Sequence, residues 1–304
     1  MEELFSKYSL TQAKAISYII FGCALIAIGP FFVEFSGVEA ITSSFYRLFI
    51  GAIAFLLIAA LRKEKLPQCN LLWLYCSAGL MTTLDLVTCN QSILYIGSGL
   101  STVLSNLEVI FLIMLGFLLY KETLPPLFFL PCVLLLFGVY CLLRPYYENT
   151  SSTQYLGIIY ALTASLIYSI YLLLLKKIEQ DNPNSSPATT LGIVCFFGTI
   201  ILGGYMYYTS SATFLLHDRQ SALYVFSYSV VSQIFGWWFI TNGLSKVSLS
   251  MSGLLFLTQP ALTFIGDCLF LGRNTHTIQL LGGTVLLSAI CLITVIEKRK
   301  ESIA

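Results

Sequence analysis

Of 304 residues, 57% are hydrophobic and only 10% charged, with a mean hydropathy of +0.83 and a net charge of +1. A soluble domain carries about a quarter charged residues, so this composition excludes a water-covered surface and points to a membrane protein. A near-neutral chain without long basic runs also gives nucleic acid nothing to bind.

A helix crosses a ~30 Å hydrocarbon core with about 20 apolar residues. In chain order, such stretches run over residues 15–35, 40–61, 71–95, 99–120, 124–143, 155–175, 187–208, 222–244, 247–271 and 277–296. Barrel strands would be half as long and alternate in polarity. The spacing therefore predicts an all-α membrane protein with ten transmembrane helices. The first stretch lacks a small-residue cleavage site and reads as a span, not a signal peptide.

With both termini on one side, Lys7, Lys14, Arg62, Lys63, Lys65, Lys121, Lys176, Lys177, Lys246, Lys298, Arg299 and Lys300 gather there. The other side keeps Arg144, Arg219 and Arg273, and Arg47 falls within the second span. This positive-inside bias predicts cytoplasmic N- and C-termini and an even number of spans.

The connector 144–154 divides the chain near its middle, into residues 1–146 and 147–304. Laying Leu71 over Ala222 places three spans of the first half on three of the second without a gap. It sets Gln91 on Asn242, Ser101 on Ser252 and Glu108 on Gln259. Five spans per half is an odd number, so the second half enters the membrane from the opposite side. Two inverted five-helix repeats are the architecture of alternating-access transporters, with substrate held at the midplane between them.

Three stretches carry a family resemblance: Phe45-Tyr46-Arg47-Leu48-Phe49, Phe117-Leu118-Leu119-Tyr120-Lys121-Glu122, and Gln259-Pro260-Ala261 with Leu269-Phe270-Leu271-Gly272. The chain resembles the drug/metabolite transporter superfamily, with two tandem EamA-type domains. It departs from that pattern at Val109, where the first half would have Pro, and at Arg273, where the second would have Glu. The resemblance implies a ten-helix carrier in a bacterial inner membrane, its cavity lined by spans 1, 3, 4, 6, 8 and 9. The solutes it implies are small and organic, such as amino acids, amines or S-adenosylmethionine.

An ionisable group at mid-membrane costs about 3 kcal/mol unless it faces a partner or a wet cavity, so each one marks a candidate pathway. Asp85 and Glu108 fall at mid-depth, and Ser101, Ser105 and Glu108 share one helix face. The candidate substrate-binding residues are Asp85, Glu108, Gln91, Gln259, Trp237, Trp238, Asn242 and Tyr168, the aromatic ones as a surface for a cation. Glu34 and Arg47, at adjoining outer ends, are expected to form an ion pair or gate, with Asp267 as a further gate residue. Pro30 and Pro260 are expected to bend their helices.

Because no Lys or Arg is expected at the depth of Asp85 and Glu108, the sequence predicts transport of a cationic or zwitterionic metabolite. No cofactor is expected, transport being driven by protons or exchange. The partners are a small-molecule substrate and the bilayer, and the chain is a monomer or homodimer. The cysteines form no CxxC pair, and the two histidines, His217 and His276, fall in polar connectors, so no metal site is predicted. The chain does not read as an enzyme. The alternatives are a channel-like or structural subunit, or an intramembrane aspartyl protease using Asp85 and Asp267. The stretch Phe264-Ile265-Gly266-Asp267 lacks the first Gly of that motif.

Overall fold

The computed structural model describes residues 2–64, 66–105, 107–120, 129–144, 152–183, 185–209, 213–216, 218–244, 246–270 and short stretches of 277–292. Within these, the side chains of residues 2–12 and of Asp267 are among those outside the description. The described chain is helical throughout: α1 (Glu2–Ala27), α2 (Gly29–Ser36), α3 (Ala40–Leu61), α4 (Leu72–Ile96), α5 (Ser98–Ser105), α6 (Glu108–Tyr120) and α7 (Phe129–Leu143) form the first half. The second half holds α8 (Ser152–Asp181), α9 (Pro187–Thr209), α10 (Arg219–Tyr228), a π-helical segment Ser229–Gly236, α11 (Trp237–Leu244), α12 (Leu249–Phe256) and α13 (Thr258–Phe270).

Among the described residues, seven stretches are long and apolar enough to cross a membrane: Ala13–Ser36, Ala40–Leu61, Cys69–Ile96, Ser98–Leu119, Ser152–Asp181, Pro187–Thr209 and Arg219–Leu244. They coincide with seven of the predicted spans. Of the other three, the fifth corresponds to the 15-residue α7 and the ninth to α12 and α13. The tenth is described only in short helical stretches between residues 277 and 292. Leu57, Ile159 and Ile200 are each more than half exposed, as suits side chains that face lipid.

Elements of the two halves pack on each other. α3 lies on α9, α4 on α8, α5 on α13, α6 on α12, and α1 on α11. These pairs run antiparallel. On α3 and α9, Phe45 meets Gly203 and Leu56 meets Gly192. On α4 and α8, Ser92 donates to the Gly157 carbonyl at 2.8 Å, and Asn182 donates to the Tyr75 hydroxyl at the other end.

The tightest seam lies between α1–α2 and the chain from Ser229 to Leu244. Lipid tails are as apolar as Leu, so burial drives helix association weakly in a membrane, and close backbone contact between small residues replaces it. Here Ala15, Gly22 and Gly29 recur every seventh residue and face Gly243, Gly236 and Ser232. A Cβ on Gly22 would lie 2.7 Å from the Gly236 carbonyl oxygen, and one on Gly243 would lie 2.6 Å from that of Ala15.

Four breaks interrupt the helices. Pro30 lacks an amide N–H, so α1 stops at Ala27 and α2 restarts at Gly29. The Ala27 carbonyl freed there accepts from Thr263 Oγ1 of α13 at 3.0 Å. The α5/α6 and α12/α13 breaks occupy equivalent places in the two halves: the overlay that puts Leu71 on Ala222 lays Ser98–Ser105 on Leu249–Phe256, end for end. The fourth is the π-helical turn at Ser229–Gly236.

The seam predicts a contrast between two glycines. Gly22→Ala must separate two backbones and should cost about 1–3 kcal/mol. Gly204→Ala, whose Cβ would meet nothing within 4 Å, should leave thermal stability in detergent unchanged. Equal melting of the two variants would show that the seam is not a tight contact.

Candidate functional site

The breaks surround one cavity of about 60 Å3, lined by Ile26 and Pro30 of α1–α2, Arg47 of α3, and Thr82, Asp85, Leu86, Cys89 and Ile93 of α4. Ser105 and Glu108 reach it from the α5/α6 break, Tyr168 from α8, Tyr228 and Trp237 from either side of the π-helical turn, and Gln259 from α13. Glu108 is the first residue of α6 and Gln259 the second of α13, so both sit in the first turn of a half-helix. There the positive end of the helix dipole favours an anion. Glu108 is 4% exposed. Neither the Asp85 nor the Glu108 carboxylate has a hydrogen-bond partner among the described residues; both lie on the cavity wall.

Above the carboxylates lies a polar network centred on Arg47, itself 5% exposed. Its Nε donates to Gln233 Oε1 at 2.8 Å, and one Nη donates to the Tyr228 hydroxyl. The guanidinium carbon stands 4.5 Å from the centre of the Tyr228 ring. Tyr228 passes the chain on to Asn90 Oδ1 at 3.1 Å, and Asn90 donates to Ser44 Oγ at 2.9 Å. Gln233 Nε2 contacts Cys195 Sγ at 3.2 Å. Gln233 lies on the π-helical turn, whose extra residue rotates it toward α3.

The structure therefore gathers five of the predicted binding residues in one cavity: Asp85, Glu108, Gln259, Trp237 and Tyr168. Three others go elsewhere. Trp238 turns to the opposite side of α11, where it stacks on Phe55 and lies under the Arg62 guanidinium, 5.2 Å from its ring centre. Asn242 donates to the Trp238 carbonyl and lines a different cavity. Gln91 is not among the cavity's lining residues.

The gate residues are rearranged as well. Arg47 turns inward to Gln233 and Tyr228, whereas Glu34 accepts from the Ser98 amide at 3.3 Å, at the start of α5. The expected absence of a cation at the depth of the carboxylates is overturned, because Arg47 lines the same cavity as Asp85 and Glu108. A long side chain starting near a helix end reaches inward as readily as outward once polar partners wait there. The side chain of Asp267 lies outside the described residues.

Sequence reading missed Tyr228, Asn90 and Gln233 as a connected group. The available signal was Asn90 and Gln233 within apolar runs, polar groups that need partners in hydrocarbon. Trp237 is packed edge-on by Tyr168 and Tyr171, with ring centres 6.0 and 5.2 Å away. The cavity thus offers two carboxylates, one guanidinium and an aromatic wall. At about 60 Å3 it has room for a few water molecules. At the end of the bundle where α3 begins, Tyr46 and Thr42 donate to the carbonyls of Phe214 and Thr213, and Ser221 donates to that of Ser36, tying the connectors there to α2 and α3.

The orientation of the two indoles gives a test. Trp237→Leu removes an aromatic wall of the cavity and should lower transport about tenfold, the worth of one desolvated cation–π contact. Trp238→Leu should leave it within about twofold, since that ring faces away from the cavity. The reverse order, in matched proteoliposome assays, would contradict this assignment of the two side chains.

Comparison with known proteins agrees with this architecture. The model of the EamA-like transporter family matches residues 13–144 and again 155–295, one match in each half. No curated protein sequence matches the chain. In fold it is similar to the protein of one crystal structure, with a TM-score of 0.75 over 93% of this chain and 98% of that one, at 13% identity. With two family matches that together span most of its length, the chain belongs to the EamA-like transporter family of small-molecule membrane transporters.

Proposed function

We propose that the chain is a ten-span secondary transporter, built as two inverted five-helix repeats, that carries a zwitterionic or cationic metabolite such as an amino acid or an S-adenosylmethionine-like compound. The observation that carries this reading is the cavity in which Arg47 stands with Asp85 and Glu108. Two carboxylates and one guanidinium favour a solute that bears both signs of charge, its ammonium or sulfonium toward Asp85, Glu108 and the Trp237 face, its carboxylate toward Arg47. An anion with no cationic group would meet two carboxylates at close range.

The repeat arrangement is supported by the antiparallel packing of α3 on α9 and of the broken spans on each other. In a two-fold related pair of five-helix units, a contact of the third span with the sixth requires one of the first with the eighth. Both are present, as α4 on α8 and α1 on α11. Broken helices at equivalent places in the two halves support a midplane site. The chain is a multi-pass protein with both termini in the cytoplasm, placed in a bacterial inner membrane, and the halves meet near residues 146 and 147. Coupling to protons through Asp85 or Glu108, or exchange, drives the cycle. Among the described residues, the carboxylate that shares the cavity of Asp85 is Glu108, and the side chain of Asp267, the second aspartate of the protease alternative, lies outside them.

The test is uptake into proteoliposomes of a panel of labelled zwitterions, cations and anions, with and without a pH gradient, with counterflow. Saturable uptake of a zwitterion or cation, trans-stimulated by unlabelled solute, is expected. Glu108→Gln should lower it at least about tenfold, the loss of one charge-assisted contact. Transport of anions only, full activity in both Glu108→Gln and Asp85→Asn, or flux without trans-stimulation would overturn the reading.

A further inference from the structure

A second and much larger cavity, of about 450 Å3, lies at the end of the bundle where α8 and α11 finish and α9 begins, the end predicted to face the cytoplasm. It shares two helices with the central cavity. Thr241 follows Trp237 by four residues on α11, so the two cavities lie about 6 Å apart along that helix. Between them stands one layer of fully buried side chains, including Tyr171, Leu172 and Ile240.

The wall of this cavity is chemically uneven. Lys176 is 7% exposed, and its Nζ donates to the Val247 carbonyl at 3.0 Å. Lys246 stands exposed at the rim. Glu179, one turn beyond Lys176, has a buried Oε2 with no hydrogen-bond partner among the described residues, and the hydroxyl of Thr241, a residue 2% exposed, is likewise buried and unpartnered among them. Unpaired buried polar atoms are costly, and two at one cavity, one of them a carboxylate oxygen, call for a donor supplied from outside. Lys176 and Lys246 put two positive charges on a wall whose one acidic side chain among the described residues is Glu179, and that excess of positive charge attracts an anion. A solute carrying a carboxylate and an ammonium a few bonds apart meets both needs, and a volume of this size admits one.

We infer that this cavity is a second binding site, an inner vestibule that holds the zwitterionic solute with its ammonium toward Glu179 and Thr241 and its carboxylate toward Lys176 and Lys246. The inference rests on the transport reading for its place in the cycle, as the station one packing layer from the central cavity. Its recognition chemistry stands on the vestibule alone.

The experiment replaces Thr241 by Cys and follows its modification by three small methanethiosulfonates applied to inside-out vesicles: a trimethylammonium, a sulfonate and an aminocarboxyethyl zwitterion. Labelling is measured over the background of the chain with Thr241 intact, and each rate is divided by that reagent's rate with a free thiol. The zwitterionic reagent is expected to lead both others by about tenfold, and Glu179→Gln in the same background should erase that lead over the sulfonate, since one charge-assisted contact is worth that factor. Asn242→Cys serves as a second reporter on the same wall if Thr241→Cys does not fold. Equal normalised rates for the three reagents, no labelling of either reporter, or a lead unaffected by Glu179→Gln would overturn the inference. The transport reading fails separately: a vestibule that selects zwitterions in a chain that transports none leaves this site standing, and zwitterion uptake without reagent selectivity removes only the vestibule.

Discussion

Hydrocarbon cannot hydrate a peptide group, so a helix broken at mid-membrane survives only where protein or a wet cavity takes up the freed donors and acceptors. That constraint organises this molecule. Its breaks at Ile28, between α5 and α6 and at Leu257, together with the π-helical turn at Ser229–Gly236, all lie around one cavity. The Ala27 carbonyl is met by Thr263 from the opposite half. The second half thus supplies what the break in the first span requires, which ties the cavity to the joining of the two repeats.

The ionisable groups obey the same rule by another route. A guanidinium in a membrane interior must be surrounded by acceptors, and Arg47 has Gln233 and Tyr228, backed by Asn90 and Ser44. These partners come from α3, α4, α10 and the π-helical turn, so the network pins elements of both halves above Asp85 and Glu108. Movement that admits a solute from that side must part Arg47 from Tyr228 or carry both together. A carboxylate on the solute could take the place of the Tyr228 oxygen.

Seven of the spans were legible because bilayer thickness sets their length, and the repeats because polar positions recur when Leu71 is laid over Ala222. The broken fourth and ninth spans follow that same overlay, although only Pro260 announces one of them and Val109 stands in the other half. Pro30 gave the first break directly. Side-chain direction was less legible. Trp237 and Trp238 are neighbours on a helix, so only one faces the cavity, and the π-helical turn shifts the phase on which such a choice depends. No proline or glycine at its start marks that turn. Arg47 was placed at the outer end by its position in the second span, and its length carried it inward. The heptad Ala15, Gly22 and Gly29, with Gly236 and Gly243, lay open in the sequence as a small-residue stripe that fixes which helices touch.

The two halves share almost no residue identity, yet α5 and α12 have the same ends. What a broken span must keep is the break itself, since half-helix ends aimed at a cavity cannot be had from a continuous helix. The group at the start of the second half-helix is free to change. In the first half it is Glu108, and in the second Gln259, so one half presents a charge and the other a neutral donor and acceptor at the same cavity. A second carboxylate in the equivalent place would add a third negative charge to a cavity that already holds Asp85 and Glu108. One charge opposite an amide, with Arg47 on the same cavity wall, keeps the site asymmetric.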